Sequence, residues 1–166
     1  MAMNKKGVKI FARLASFLPM KIGVLFLKWG GVKIGINTSI SRGFYVDRPA
    51  GLSIGIGCFL NYGVHSHCGA NDTVGISIGN SVFIGSDVRI CCSSHEFSSK
   101  ECRAGKNTYG PVHIKDGCWI GLCSIILPNV TIAEGCVIAA GSVVTKSTEP
   151  NGLYAGVPAR RIKELT

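Results

Sequence analysis

The chain has 166 residues, a formal charge of +9, 46% hydrophobic and 16% charged residues. Those values describe one compact domain with at most a terminal appendage, and they exclude a disordered chain. The basic excess would suit a nucleic acid, but it collects at the ends: Lys5, Lys6, Lys9, Arg13, Lys21, Lys28 and Lys33, then Arg160, Arg161 and Lys163. With no nucleic-acid-binding motif between them, phosphate groups of a small ligand or an anionic membrane surface are the simpler partners, and no nucleic acid is expected.

Residues 1–33 form a first segment. Ile10, Leu14, Phe17 and Leu18 follow helical spacing, Pro19 should end that helix, and a second apolar stretch from Ile22 to Leu27 stops at Gly30-Gly31. The stretch is too short to span a bilayer. It is expected to cap the open end of the following architecture. Weak contact of residues 1–30 with an anionic membrane surface is the alternative.

From Ile34 an aliphatic residue recurs every sixth position: Ile34, Ile40, Val46, Leu52; then Ile78, Ile84, Ile90; then Ile114, Ile120, Ile126, Ile132, Ile138, Val144. A small residue tends to follow four places later, as at Cys58, Cys118, Ser124, Cys136 and Ser142. A period of six is neither helix nor lone strand. It is a short strand, a corner and a new strand on the next face, which is a hexapeptide β-helix over 34–149. The phase slips between Leu52 and Ile54, predicting a lengthened corner, and stops from Cys91 to Pro111. Residues 96–110 are polar and read as an excursion loop, a usual place for functional groups. Pro150 and Asn151-Gly152 open a tail, 150–166, in which Arg160–Leu165 reads as a short closing helix.

The 8 cysteines show no CxxC pair. Cys58, Cys118 and Cys136 fall on the small position of the repeat and read as core filling, with Cys123 more exposed. So many reduced thiols fit a reducing cytoplasm.

Several motifs occur in order: Phe59-Leu60-Asn61, Ser94-His95, Gly117-Cys118-Trp119-Ile120-Gly121, Ala140-Gly141-Ser142-Val143-Val144-Thr145-Lys146, and Ala155-Gly156-Val157-Pro158-Ala159-Arg160. Over about residues 34–165 the chain resembles the hexapeptide-repeat acyltransferases, in particular the galactoside, maltose and polysaccharide O-acetyltransferase branch. The resemblance implies a left-handed parallel β-helix, a homotrimer, and acetyl-CoA as acyl donor in a groove between subunits, with no metal. It implies transfer of acetyl to a hydroxyl of a sugar or surface-polysaccharide precursor; the reduced thiols and the basic apolar N-terminus suit a cytoplasmic protein, peripheral at the inner face of the membrane.

The same resemblance assigns the residues. His95 matches the general base, a role suited to a side chain that titrates near neutrality. Asn61 matches an acceptor-binding residue, although Asn also favours corners. Trp119, Gly121, Leu122 and Ala140 match positions lining the acyl-CoA arm, while Trp119 could equally cover a coil face. Lys146, Arg160 and Lys163 match basic positions near the nucleotide phosphates, with Arg161 adjacent, while Arg160, Arg161 and Lys163 could equally form a solvated helix face. One departure stands out. Where maltose- and galactoside-type relatives carry an Asp after the Asn motif, this chain reads Val64-His65-Ser66-His67-Cys68, which weakens a free disaccharide acceptor. An antibiotic acetyltransferase shares fold and base. A carbonic-anhydrase-like zinc protein would need three of His65, His67, His95 and His113 together, and their spacing does not match. A non-catalytic scaffold would need none of these motifs.

Overall fold

The computed structural model describes residues 10, 11, 14–18, 20–69 and 74–166. Pro19, the expected helix breaker, and the cations Lys5, Lys6, Lys9 and Arg13 lie outside the described residues.

The six-residue period folds as a left-handed parallel β-helix of three sheets. Face A stacks Lys33–Ile34, Leu52–Ile54, Ile76–Ile78, Val112–Ile114 and Thr131–Ile132. Face B stacks Ser39–Ile40, Phe59–Leu60, Phe83–Ile84, Trp119–Ile120 and Val137–Ile138. Face C stacks Tyr45–Val46, His65–His67, Arg89–Cys91, Ile125–Ile126 and Val143–Val144. Each aliphatic of the series from Ile40 onward points inward and is buried, and so is the residue four places later at Val82, Val88, Cys118, Ser124, Val130, Cys136 and Ser142. At those coils two inward side chains per hexapeptide form the core of the prism. Each buried Ile contributes about 1.5–3 kcal/mol relative to exposure.

The corners turn through left-handed backbone. Gly63, Asp87, Cys123 and Gly141 have φ of 66, 57, 56 and 70° at successive B–C corners. Cys123 is exposed there, as expected from its phase. Cys58, Cys68, Cys92, Cys118 and Cys136 are buried and all eight thiols are free. Burial pushes the Cys68 thiol up to about 12 and those of Cys92 and Cys118 up to about 11. These thiols stay protonated and act as packing atoms.

The phase slip is a single 3₁₀ turn at Pro49–Gly51. Arg48 beside it crosses the C–A corner and donates to the carbonyls of Cys68, Gly69 and Val74. At the N-terminal end the helix Met20–Trp29 covers the first coil, with Leu27 buried and Val24 and Phe26 packed on the core. Phe11, Phe26 and Trp29 cluster at 5.5–6.1 Å between ring centroids.

Two expectations are corrected. The stretch 96–110 is not an irregular loop. Ser93–Phe97 and Ala104–Tyr109 pair as an antiparallel hairpin that rises from the C–A corner. The tail contains no closing helix. Arg160–Leu165 is mostly strand: Ala159–Glu164 folds back antiparallel on Gly152–Gly156. Gly152–Gly156 extends face B beyond Val137–Ile138 and leaves an open edge, and the final strand satisfies that edge's backbone groups, as a helix could not.

Candidate active site

The hairpin presents His95. One extra residue on its returning strand makes a bulge, because His95 pairs with Asn107 but Phe97 pairs with Ala104. The bulge contains Gly105, where a Cβ would stand 3.0 Å from the Glu96 carbonyl oxygen. It turns the Gly105 carbonyl onto His95, whose Nδ1 lies 3.0 Å from that oxygen. A carbonyl can only accept, so Nδ1 carries the hydrogen and donates it. In the neutral ring Nε2 then holds the lone pair, exposed to solvent and ready to take a proton. Bulges near active sites commonly re-aim a side chain in this way. Gly105 was not recognised from sequence, because a carbonyl partner leaves no mark on residue identity; a Gly in a polar strand is the sole hint.

Asn61 opens the B–C corner of the second coil. Its Oδ1 accepts from the Tyr62 N–H at 2.8 Å. The Nδ2 amino group of the side chain makes no hydrogen bond among the described residues. Trp119 stands on face B between Phe83 and Val137, and Trp119 and Phe83 are 58% and 52% exposed. Gly121, Leu122 and Ala140 lie at B–C corners of the fourth and fifth coils. Gly121 is needed for stacking: a Cβ there would lie 2.5 Å from the Ala140 nitrogen. Its N–H already donates to the Ile138 carbonyl at 2.7 Å, so it is not available to a ligand. Leu122 and Ala140 are exposed beside it.

The basic positions divide. Lys146 leaves the C–A corner of the last coil, whereas Arg160, Arg161 and Lys163 lie on the final strand beside face B. Arg161 is held by Glu149 at 2.9 Å and by the Pro150 carbonyl at 3.2 Å. Within one chain, then, Trp119, Leu122 and Ala140 gather along face B and the B–C edge, while His95 rises from the C–A edge. Face C separates them.

The histidines are also dispersed. His65 and His67 share face C, His113 on face A lies 2.6 Å from Ser77 Oγ, and His95 is on the hairpin. Among the described residues no three His, Cys, Asp or Glu side chains are grouped to hold a metal ion.

This architecture has relatives. Residues 111–146 match the family model described as bacterial transferase hexapeptide (six repeats). The chain is 34% identical over 117 residues to galactoside O-acetyltransferase of Escherichia coli, covering 64% of this chain and 58% of that one. It is 35% identical over 136 residues to nodulation protein L of Rhizobium meliloti, covering 82% and 72%. Among solved structures, a hexapeptide-repeat acetyltransferase of Vibrio cholerae complexed with acetyl coenzyme A superposes with a TM-score of 0.81 at 25% identity, over 97% of this chain and 88% of that one. The chain spans 58% of the length of the galactoside enzyme and 50% of that of a Schizosaccharomyces pombe relative. With matches of this extent laid on the same coil, the chain belongs to the hexapeptide-repeat, left-handed β-helix acyltransferase family.

Proposed function

We propose that the protein is an acetyl-CoA-dependent O-acetyltransferase, acting on a hydroxyl of a sugar or surface-polysaccharide precursor. The observation that carries this reading is the His95–Gly105 hydrogen bond, which leaves Nε2 as a proton acceptor on an exposed hairpin. A thioester is already activated; the alcohol is the weak partner. As the hydroxyl oxygen attacks the thioester carbonyl, Nε2 takes its proton, and the imidazolium returns that proton to the departing coenzyme A thiolate. Nδ1–H to Gly105 holds the ring orientation and tautomer throughout. Relatives that include a galactoside O-acetyltransferase and an acetyltransferase complexed with acetyl coenzyme A support donor and acceptor class.

The site is completed between copies in a homotrimer. Phe97, two residues from His95, is 97% exposed, and Trp119, Phe83 and Leu122 form an exposed apolar strip on face B. A hairpin docked over a neighbour's strip buries both and brings His95 to the donor wall, which a single chain separates by the width of face C. Arg160 and Lys163 then meet the nucleotide phosphates of the donor.

The test is acetyl transfer from acetyl-CoA to a panel of sugars by wild type and His95→Ala. The variant should lose at least about a hundredfold in turnover while keeping its Tm and oligomeric state. Near-normal transfer by the variant would falsify the role of His95.

Among the described residues no helix is long and apolar enough to cross a membrane. We place the protein in the cytoplasm, peripheral to the inner membrane face. The cap exposes Leu14, Phe17, Ile22, Leu25 and Trp29 beside Lys21 and Lys28, a combination suited to an anionic lipid surface. Co-sedimentation with phosphatidylserine vesicles at low salt, lost at high salt, is expected. Absence of binding at low salt removes this localisation.

A further inference from the structure

Face C of the first three coils has an outer surface unlike that of the rest of the prism. Ser66 points inward and is fully buried, so His65 and His67 both stand on the outer side of their strand. Tyr45, the register partner of His65 in the first coil, lies 5.3 Å from the His65 ring and 5.6 Å from the His67 ring, and the two imidazoles are 5.9 Å apart. In the third coil Arg89 is the register partner of His65 and Cys91 of His67. All five side chains are half-buried. In the fourth and fifth coils the corresponding outward positions are Ile125 and Val143.

The position of this patch matters as much as its chemistry. Asn61 sits at the corner that leads into His65–His67, on the B–C edge. His95 sits on the hairpin that follows Arg89–Cys91, on the C–A edge. Face C is the surface between those two edges, so an acceptor that reaches both crosses the Tyr45, His65, His67 and Arg89 patch.

We propose that this patch binds a negatively charged group of the acceptor, making the substrate an anionic sugar that bears a phosphate or carboxylate. This inference rests on the acyltransferase reading above and specifies its acceptor. Arg89 uses one N–H on the Gly63 carbonyl at 3.4 Å, and a guanidinium has four more to offer. The two imidazoles supply further donors, and Tyr45 supplies an aromatic face for the sugar ring.

Two carboxylates border the patch beside the Arg89 charge. Asp47, one strand below His67, is held by the N–H groups of Cys68 at 2.8 Å and Gly69 at 3.2 Å. Asp87 stands at the exposed B–C corner and is the weakest influence on His65. Tyr45, His67, Arg89 and Cys91 are the other titratable or charged groups of this face among the described residues. Burial, then the Arg89 charge, then His67 hold the His65 imidazole below its ordinary value. An incoming anion reverses the Arg89 effect and draws a proton onto His65. Binding is therefore tightest at low pH and weakens as pH rises through the raised pKa of His65 in the complex.

The test uses the full chain and two readouts. In the first, the histidine Cε1 resonances of wild type are followed by NMR against pH, with and without inorganic phosphate. Phosphate should shift the His65 and His67 resonances and raise the His65 pKa by about one unit, a tenfold preference for the protonated ring. Arg89→Gln should weaken phosphate binding at least tenfold. If that variant fails to fold, His67→Gln replaces it with the same expectation. Unshifted His65 and His67 resonances, or unweakened binding in a folded variant, overturn the proposal. In the second readout, acetyl transfer is compared for galactose, galactose 1-phosphate and galacturonic acid. Either anionic sugar should exceed galactose at least tenfold in kcat/KM, the better one identifying the anion. Galactose equal to or better than both overturns the proposal. Absence of transfer to every acceptor counts against the acyltransferase reading, and the phosphate titration still decides whether the patch binds anions.

Discussion

The prism has two halves that obey one period and do different things with it. From Val112 to Val144 the repeat is unbroken, its inward positions are all buried, and its outward positions on faces B and C are Trp119, Ile125, Val137 and Val143. From Lys33 to Cys91 the same three faces are interrupted by the 3₁₀ turn at Pro49–Gly51 and closed by the hairpin, and face C turns outward with Tyr45, His65, His67 and Arg89. Regular coil makes a smooth apolar wall suited to an extended arm such as pantetheine. Interrupted coil makes polar relief suited to a hydroxylated acceptor. The hairpin with His95 stands at the junction. In the function proposed here, donor and acceptor are thus assigned along the axis of one solenoid, not to separate domains.

The inward column of face C sharpens this contrast, because it runs Val46, Ser66, Ile90, Ile126, Val144 through both halves. Ile126→Ala removes a fully buried side chain from the regular half, where stacked coils above and below limit collapse. Denaturant unfolding should show a loss of about 2–5 kcal/mol. A loss under 1 kcal/mol would mean that the regular half is more loosely packed than its burial implies. Ser66 occupies the same column in the irregular half, fully buried, its Oγ lacking a hydrogen-bond partner among the described residues. Ser66→Val should therefore stabilise by about 1 kcal/mol, through relief of an unsatisfied hydroxyl and better filling of the column. A fall in Tm would show that the hydroxyl has a partner, such as a buried water, and that the irregular half is not underpacked.

What was legible in the sequence follows the same division. The coil could be read because each face needs one aliphatic and one small inward residue, and Ile120, Ile126, Cys136 and Ser142 satisfy both demands at fixed spacing. Even the inserted turn at Pro49 showed as a phase slip. The hairpin could not be read: its strands are solvated on both sides, so no apolar alternation marks them, and the bulge at Gly105 disrupts what period there is. The tail was misread for a related reason. Arg160-Arg161-Ile162-Lys163-Glu164 is a reasonable helical sequence in isolation, and only the open edge at Gly152–Gly156, a tertiary feature, makes it a strand. For the proposed site, the sequence could nominate candidate residues but not their distribution over two edges of the prism, because sequence spacing does not say which side of a corner a chain departs from.

The smallest expected effect separates the regular half's structural cations from its binding cations. Arg161 lies next to Arg160 in sequence, but its guanidinium is tied to Glu149 and to the Pro150 carbonyl, closing the turn that precedes Gly152–Gly156. Arg160 bonds to its neighbour's carbonyl at Ala159. If the last strand holds nucleotide phosphates, Arg160→Ala should raise the KM for acetyl-CoA about tenfold, as expected when a charge-assisted phosphate contact is lost. Arg161→Ala should change that KM less than about threefold and cost at most about 1 kcal/mol of stability, because exposed ion pairs contribute little. The reverse pattern, with Arg161 dominating KM, would mean that Glu149 releases it when donor binds. The closing turn would then belong to the donor site, and the regular half would be less rigid than its unbroken period suggests.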